Sequence, residues 1–184
     1  MTTQAKLDRN LNFVLPLESG AIAYIRPLKR FVFDANYLAL AKVYSAIQEQ
    51  DMMSTGGSIA ARMLRDLEKN QGFDAQSVLI EIRRMTTVAV KGANGYETPM
   101  LEDALSQGLV DEDDVAEIEN FMVFTTAASY LTGSKERAAR VIQFTAGMRN
   151  VETTSLALTD YLSSSATLKT VGNSGAKAEA AQAE

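Results

Sequence analysis

The densest group of residues that could do chemistry is an acidic run in the middle of the chain. Residues 111–114 are all Asp or Glu, and Glu117 and Glu119 follow within the next five positions. Carboxylate oxygens are the ligands that calcium and magnesium take. Adjacent helical residues, however, point about 100° apart and cannot converge on one ion, and the glycine-containing loop of an EF-hand is missing. Because acidic groups are favourable at the positive end of a helix dipole, the run predicts a solvated helix start rather than a metal site.

A second group lies in the run EIRRM, where Glu81 is followed by Arg83 and Arg84. These residues could form an anion site, or Glu81 could work with Glu117 or Glu119 as a catalytic carboxylate pair. Glycosidase chemistry needs two carboxyls about 5 to 9.5 Å apart across a cleft, and the sequence gives no sign of a cleft. An arginine that packs its stem on the core and pairs with an acid is commoner. We therefore expect the arginines to tie this helix to the acidic run.

A third group, Gly56, Gly57 and Ser58, precedes a predicted helix. Free backbone N–H groups at a helix start can bind an anion. No lysine follows at the spacing of a P-loop, and no strand is predicted before the glycines. The favoured interpretation is a hinge that breaks the helix.

Composition narrows the function further. The 184 residues include no Cys and no His, which excludes disulfides, thiol nucleophiles, ordinary serine triads and zinc hydrolase sites. Nine acidic residues and one basic residue fall between positions 91 and 132, so that segment is a poor match for nucleic acid. We expect no catalytic residue, no cofactor, no metal and no nucleic acid partner, and therefore a protein that is not an enzyme.

Hydrophobic spacing predicts the elements that hold these groups. Alternation at Leu11, Phe13 and Leu15, a turn and a second short run predict a β-hairpin over about 11–26. Pro16 cannot donate a ladder hydrogen bond, so its strand is expected at a sheet edge. Helical spacing then predicts helices near 34–50, from the glycine loop to about 69, and from 74 to 86. A loop at 91–99, a short helix, helices opened at 111 and 134, and a last short helix within 150–163 complete the pattern.

These elements predict a mainly α fold, in which a compact domain of about six helices with the N-terminal hairpin spans residues 1–163. Residues 164–184 are rich in Ser, Thr, Ala and Gly and bury too little to offset chain entropy, so a flexible, disordered C-terminal tail is expected. No run approaches the ~20 apolar residues of a spanning helix, and no signal peptide is apparent, so the cytosol is the expected compartment and no membrane partner is expected.

Candidate partner-binding residues come from two sources. An apolar edge strand holding Leu11, Phe13 and Leu15 could add to a neighbour's sheet. Flexible thioethers suit surfaces that accept several apolar partners, and Met52, Met53 and Met100 lie in predicted loops or helix ends; buried, they would be ordinary gap fillers. Four aromatic residues could be a binding stripe or, as is commoner at their spacing, part of the core: Phe31, Phe33, Tyr37 and Tyr44.

Four stretches together resemble a family of tailed-bacteriophage proteins described as tail assembly chaperones or small tail-associated structural proteins. They cover most of the chain and read LNFVLPLESGAIAYIRPLKRFVFDANYLALAKVYSAI, LIEIRRMTTVAV, GLVDEDDVAEIENFMVFTTAASYL and SLALTDYLSSSATLKTVGNSGA. The resemblance implies a mainly helical protein of the host bacterial cytoplasm that binds the phage tape-measure protein during tail morphogenesis. Other tail proteins and further copies of the chain are alternative partners. The same resemblance is compatible with a permanent tail or neck protein of the virion, and a carboxylate-dependent hydrolase is the remote alternative.

Overall fold

The computed structural model describes residues 11–93 and 95–164. The chain divides into two compact units, Met1–Thr153 and Thr154–Glu184. Within the second unit, residues 158–164 are helical. The predicted tail, residues 164–184, lies outside the described residues except for Ser164.

One sheet of five strands collects segments from both ends of the sequence, in the order β4-β3-β2-β1-β5. The strands are β1 (Asn12–Pro16), β2 (Ile22–Ile25), β3 (Thr86–Gly92), β4 (Gly95–Glu97) and β5 (Glu152–Thr154). The pairings of β1 with β2, β2 with β3 and β3 with β4 are antiparallel. The predicted hairpin is present as β1 and β2, but β1 lies between β2 and β5 instead of at the edge. Pro16 is tolerated there because it is the last residue of the strand.

The described chain has seven further helices, and five of them contact the longest one. They are α1 (Arg30–Ala35), α2 (Tyr37–Glu49), α3 (Gly56–Gln71), α4 (Gln76–Arg84), α5 (Leu101–Ser106), α6 (Glu112–Leu131) and α7 (Lys135–Met148). Helix α6 contacts α1, α2, α3, α4 and α7. Every residue from 118 to 128 is buried, as expected for a helix that is apolar on all sides. None of the described helices has both the length and the hydropathy of a membrane-spanning segment.

The acidic run opens α6 as predicted. Asp111 is the N-cap residue, and its carboxylate accepts hydrogen bonds from the backbone N–H groups of Asp113 and Asp114. The Asp114 carboxylate accepts in return from the Asp111 N–H, which completes a capping box. Asp114 is buried and also accepts from the N–H of Ser19, at 3.5 Å. The helix start therefore holds the turn between β1 and β2 as well.

The prediction of a mainly α fold with only an N-terminal hairpin is wrong, because three further strands complete the sheet. The predicted third helix ends at Arg84, and Thr86 begins β3. The run Thr-Thr-Val-Ala-Val is rich in β-branched residues, which favour strands. The predicted loop at 91–99 contains the turn from Gly92 to Gly95 and strand β4. Gly95 has φ +127°, a conformation that favours glycine.

Candidate functional site

An open groove of about 630 Å³ lies between α2, the end of α6 and the start of α7. Helix α2 provides one wall, α7 provides the opposite wall, and Met53 adds a thioether from the loop after α2. The lining residues are Tyr37, Ala41, Tyr44, Ser45, Gln48, Met53, Leu131, Thr132, Arg137, Arg140 and Val141.

The α2 wall follows from the spacing of its residues. The lining positions 37, 41, 44, 45 and 48 recur every three or four residues, which places them on one helix face. Ala41 and Ser45 carry short side chains in the middle of this face, so they leave space for an occupant. Tyr44 is buried at the base, with its ring 6.0 Å from that of Phe124. Burial raises the pKa of the Tyr44 hydroxyl.

An aromatic contact fixes the end of the groove at Tyr37. The Tyr37 ring packs edge-on against Phe33 at 5.8 Å, and Phe33 stacks on Tyr130 at 4.8 Å. Tyr37 is nevertheless 49% exposed. Phe33 and Tyr44 are therefore core residues, whereas Tyr37 keeps half of its surface available at the rim of the groove.

The α7 wall brings two cations and continues as an apolar face. Arg137 and Arg140 line the groove and are exposed. Helical spacing places Phe144 and Met148 beyond Val141 on the same side of the helix. Phe144 is 55% exposed and Met148 is 53% exposed. In the part of the chain that the structure describes, an exposed apolar surface therefore extends past the groove along α7.

A buried ion-pair cluster lies elsewhere, where α6 meets α3 and α4. Glu119 has no exposed side-chain surface and pairs with Arg65 of α3 and Arg83 of α4; the Arg83 Nε to Glu119 Oε1 distance is 2.7 Å. Arg83 also contacts Glu102 at 3.3 Å. Burial opposes the charge of Arg83, but hydrogen bonds and attraction from Glu119 and Glu102 outweigh it and raise its pKa. The predicted tie to the acidic run is confirmed for Arg83 and is wrong for Arg84, which pairs with Glu81 of its own helix.

The carboxylates considered for the remote hydrolase alternative, Glu81, Glu117 and Glu119, are each paired with arginine. Glu81 accepts two hydrogen bonds from Arg84 at 2.7 Å, and these bonds chiefly hold the pKa of Glu81 below its ordinary value. Glu117 accepts from Arg149 at 2.6 Å. These pairs leave each carboxylate bound to a cation of the same chain, which suits a role in packing.

A second cavity, of about 350 Å³, adjoins the start of α6 and includes Glu18, Asp111, Asp113, Asp114, Glu117 and Arg149 among its lining residues. Arg149 pairs there with Glu117 and also donates to the Ser58 hydroxyl. Among the described residues, no three carboxylates gather in a way that could hold a metal ion.

The glycines predicted as a hinge are instead part of the first turn of α3. Gly56 and Gly57 are buried, and a Cβ on Gly56 would lie 2.5 Å from the Phe124 ring. Gly56 lets α3 approach α6 closely, and Gly57 lets it approach α7, where an added Cβ would lie 2.9 Å from Thr145 Cγ2. Their role is packing between helices, because a side chain on either glycine would meet a neighbouring helix.

The structure disperses the six predicted partner-binding residues. Phe13 and Leu15 are buried in the core, where the Phe13 ring packs edge-on against Phe121 at 5.2 Å, and Leu11 is half-buried. Met52 and Met53 pack against the core, and Met53 also reaches the groove. Met100 is 36% exposed beside the Thr87 hydroxyl. Of the six predicted residues, only Met53 lines the groove.

Phe144 and Met148 were not among the partner-binding residues predicted from the sequence. They are four residues apart and lie off the buried face of α7, which holds Ala138, Ile142, Thr145 and Ala146. A large apolar pair off the buried face is typical of a surface that meets a partner.

Comparisons of the chain with known protein families, with characterised proteins and with solved structures find no match.

Proposed function

We propose that this protein is an assembly factor that binds a helical segment of another protein in the groove between α2 and α7. The observation that carries the proposal is the groove itself, continued by the exposed Phe144 and Met148. The resemblance of the sequence to tail assembly chaperones supplies the partner, the phage tape-measure protein. In that role the protein works in the host cytoplasm while tail subunits assemble.

The dimensions of the groove support a helix as its occupant. The α2 wall runs from Tyr37 to Gln48, a length of about 16 Å at 1.5 Å per residue. That length matches about three turns of a partner helix, which is the unit of helix-in-groove recognition. The lining combines aromatic, thioether and aliphatic groups with the polar Ser45, Gln48, Thr132, Arg137 and Arg140, which suits an amphipathic helix.

The arrangement of the carboxylates supports binding over hydrolysis. Glu81, Glu117 and Glu119 each pair with an arginine, and none of the three lines the groove. A general acid or base must reach the reacting group.

The test is capture of tape-measure fragments by the full-length protein in a co-expression experiment. Ser45 is exposed on the groove wall, so Ser45→Trp fills the groove without removing a core contact. We expect this variant to retain at most about one tenth of the fragment captured by the wild type, a loss of about 1.4 kcal/mol in binding.

Asn70→Trp is the matched control, because Asn70 is exposed on α3 and does not line the groove. It should capture the fragment at the wild-type level. Unchanged capture by Ser45→Trp would contradict the groove as the binding site. Recovery of the protein in many copies from finished particles would contradict a role confined to assembly and would identify a permanent virion component.

A further inference from the structure

We propose that the helix accepted by the groove carries carboxylates one turn apart at the edge of its apolar stripe, and that Arg137 and Arg140 bind them. This inference rests on the proposed function and names the chemistry of the partner. It follows from the charges that the groove contains and from the absence of ion-pair partners for them among the residues that the structure describes.

The groove is charged with one sign only. Both charged groups among its lining residues are arginines, and no described carboxylate lines it. The whole chain, in contrast, has a net charge of −5. A partner segment with basic residues would be repelled by the arginines, whereas an acidic segment would be attracted to this part of the surface.

Arg137 and Arg140 differ from the arginines that hold the fold together. Arg30, Arg65, Arg83, Arg84 and Arg149 all form ion pairs. Neither Arg137 nor Arg140 forms an ion pair with any carboxylate in the described part of the chain. Arg140 donates to the backbone oxygen of Glu136 at 3.4 Å.

The carboxylate of Glu136, on the same helix, already has another partner. The Glu136 carboxylate accepts from the Ser134 hydroxyl at 2.7 Å. That hydrogen bond is the first cause of the lowered pKa of Glu136, and the charges of Lys135 and Arg140 act on it more weakly. The guanidinium groups in the groove therefore remain available to an incoming carboxylate.

Covering these arginines with an entirely apolar helix would be unfavourable. A guanidinium that is removed from water without an opposite charge loses its hydration and gains nothing in return. A carboxylate at the same place gains charge-assisted hydrogen bonds, which a planar guanidinium can donate in pairs. The groove therefore favours an occupant that brings acids together with its apolar stripe.

The spacing along α7 defines the pattern in the partner. Arg137 and Arg140 are one turn apart, so two acids at i and i+3 or i+4 on the partner helix match them. Phe144 and Met148 follow one and two turns beyond Arg140, where large apolar residues of the partner would lie. The inferred segment is a helix with an acidic pair at one end of its apolar stripe.

The experiment uses three helical peptides with the same leucine stripe and with Glu, Gln or Lys at the two paired positions. Binding of each labelled peptide to the full-length protein is measured by fluorescence anisotropy at two salt concentrations. The Glu peptide should bind about tenfold more tightly than the Gln peptide, the Lys peptide should bind most weakly, and added salt should reduce the Glu preference because it screens exposed charges.

Charge reversal provides the specific control. The double variant Arg137→Glu/Arg140→Glu should lose the Glu preference and bind the Lys peptide best, an exchange that a merely unfolded variant could not show. Equal binding of the Glu and Gln peptides to the wild type, or no binding of any peptide, would overturn the inference. The capture of tape-measure fragments and its loss in Ser45→Trp are measured separately, so the groove could still be the binding site if the preference for acids failed.

Discussion

Glu119 carries a carboxylate with no exposed surface, and arginines from two other helices donate to it. Removing a charge of this kind from water is costly, and the cost is offset only when its hydrogen bonds are complete. The side-chain oxygen of the adjacent Asn120 accepts a hydrogen bond from the N–H of Ala61 in α3, at 2.9 Å. Two consecutive polar residues of α6 thus fix how α3 and α4 lie on its buried segment.

Replacement of Glu119 by Gln tests this role at the level of one residue. The amide keeps the shape of the side chain but removes the negative charge that pairs with Arg65 and Arg83, and leaves Arg83 with only the exposed Glu102. We expect the free energy of unfolding to fall by about 1 to 3 kcal/mol, below the full value for a wholly buried pair because both arginines are partly exposed. Urea denaturation at neutral pH measures the change.

Glu102→Gln is the matched control, since Glu102 pairs with the same Arg83 but has a side chain that is 58% exposed. Its effect should stay below about 1 kcal/mol, as is usual for an exposed pair. Equal losses in the two variants would mean that burial of the Glu119 carboxylate adds nothing to its contribution.

The close approach of α3 to α6 is the corresponding feature at the level of elements. Gly56 and Gly57 lie in the first turn of α3, and Ala60 and Ala61 follow on the buried side. Small residues allow two helix backbones to come near each other. The space between the helices is then filled by side chains of the other helix only. Here the Phe124 ring of α6 fills it.

Gly56→Ala is therefore expected to destabilise the protein although alanine is the better helix former. The new Cβ would lie 2.5 Å from a ring atom of Phe124, and that ring is fully buried. Overpacking of this kind costs about 1 to 3 kcal/mol. Thermal unfolding followed by circular dichroism measures the loss.

Gly147→Ala is its control on α7, where an added Cβ meets nothing within 4 Å. This change should be neutral or stabilising by up to about 1 kcal/mol, because glycine is unfavourable inside a helix. A stable Gly56→Ala variant would show that α6 can move away from α3 without loss.

The elements that could be predicted from sequence are those whose signals are local. Local residue patterns indicate the acidic start of α6 and the hairpin at the N-terminus. They also indicate the pairing of Arg83 with the acidic run. Strand β3 was missed because Met85 and Thr86 continue the apolar face of α4 for one more turn. Strand β5 has only three residues, of which none is buried, so it lacks the alternation by which strands are recognised.

At the scale of the whole molecule, the groove could not be predicted because it depends on which helices meet. Periodicity identifies the apolar face of α2 and that of α7 separately. It does not show that Tyr37 and Val141 line one space, since these residues are far apart in sequence. The candidate site therefore depends on tertiary packing. In the sequence, its arginines could not be distinguished from charged residues on a solvated helix face.

The central position of α6 has a consequence for the stability of the first unit. Residues 121–128 are all buried, and they contact the sheet through Phe121 and Phe13 and the helix layer through Phe124 and Tyr44. Their amides can exchange with solvent only if these contacts open together, because no part of this segment is exposed. Strand β4 differs, since Gly95, Tyr96 and Glu97 are exposed.

Native-state hydrogen exchange should therefore distinguish two classes of backbone amide in the first unit. Amides of residues 121–128 are expected to exchange with the free energy of global unfolding found by urea denaturation, whereas those of β4 should exchange through local opening at a much lower free energy. Exchange followed by mass spectrometry over a series of low urea concentrations measures both. If residues 121–128 exchanged well below the global value, α6 would open independently, and it could not be the element around which the unit folds.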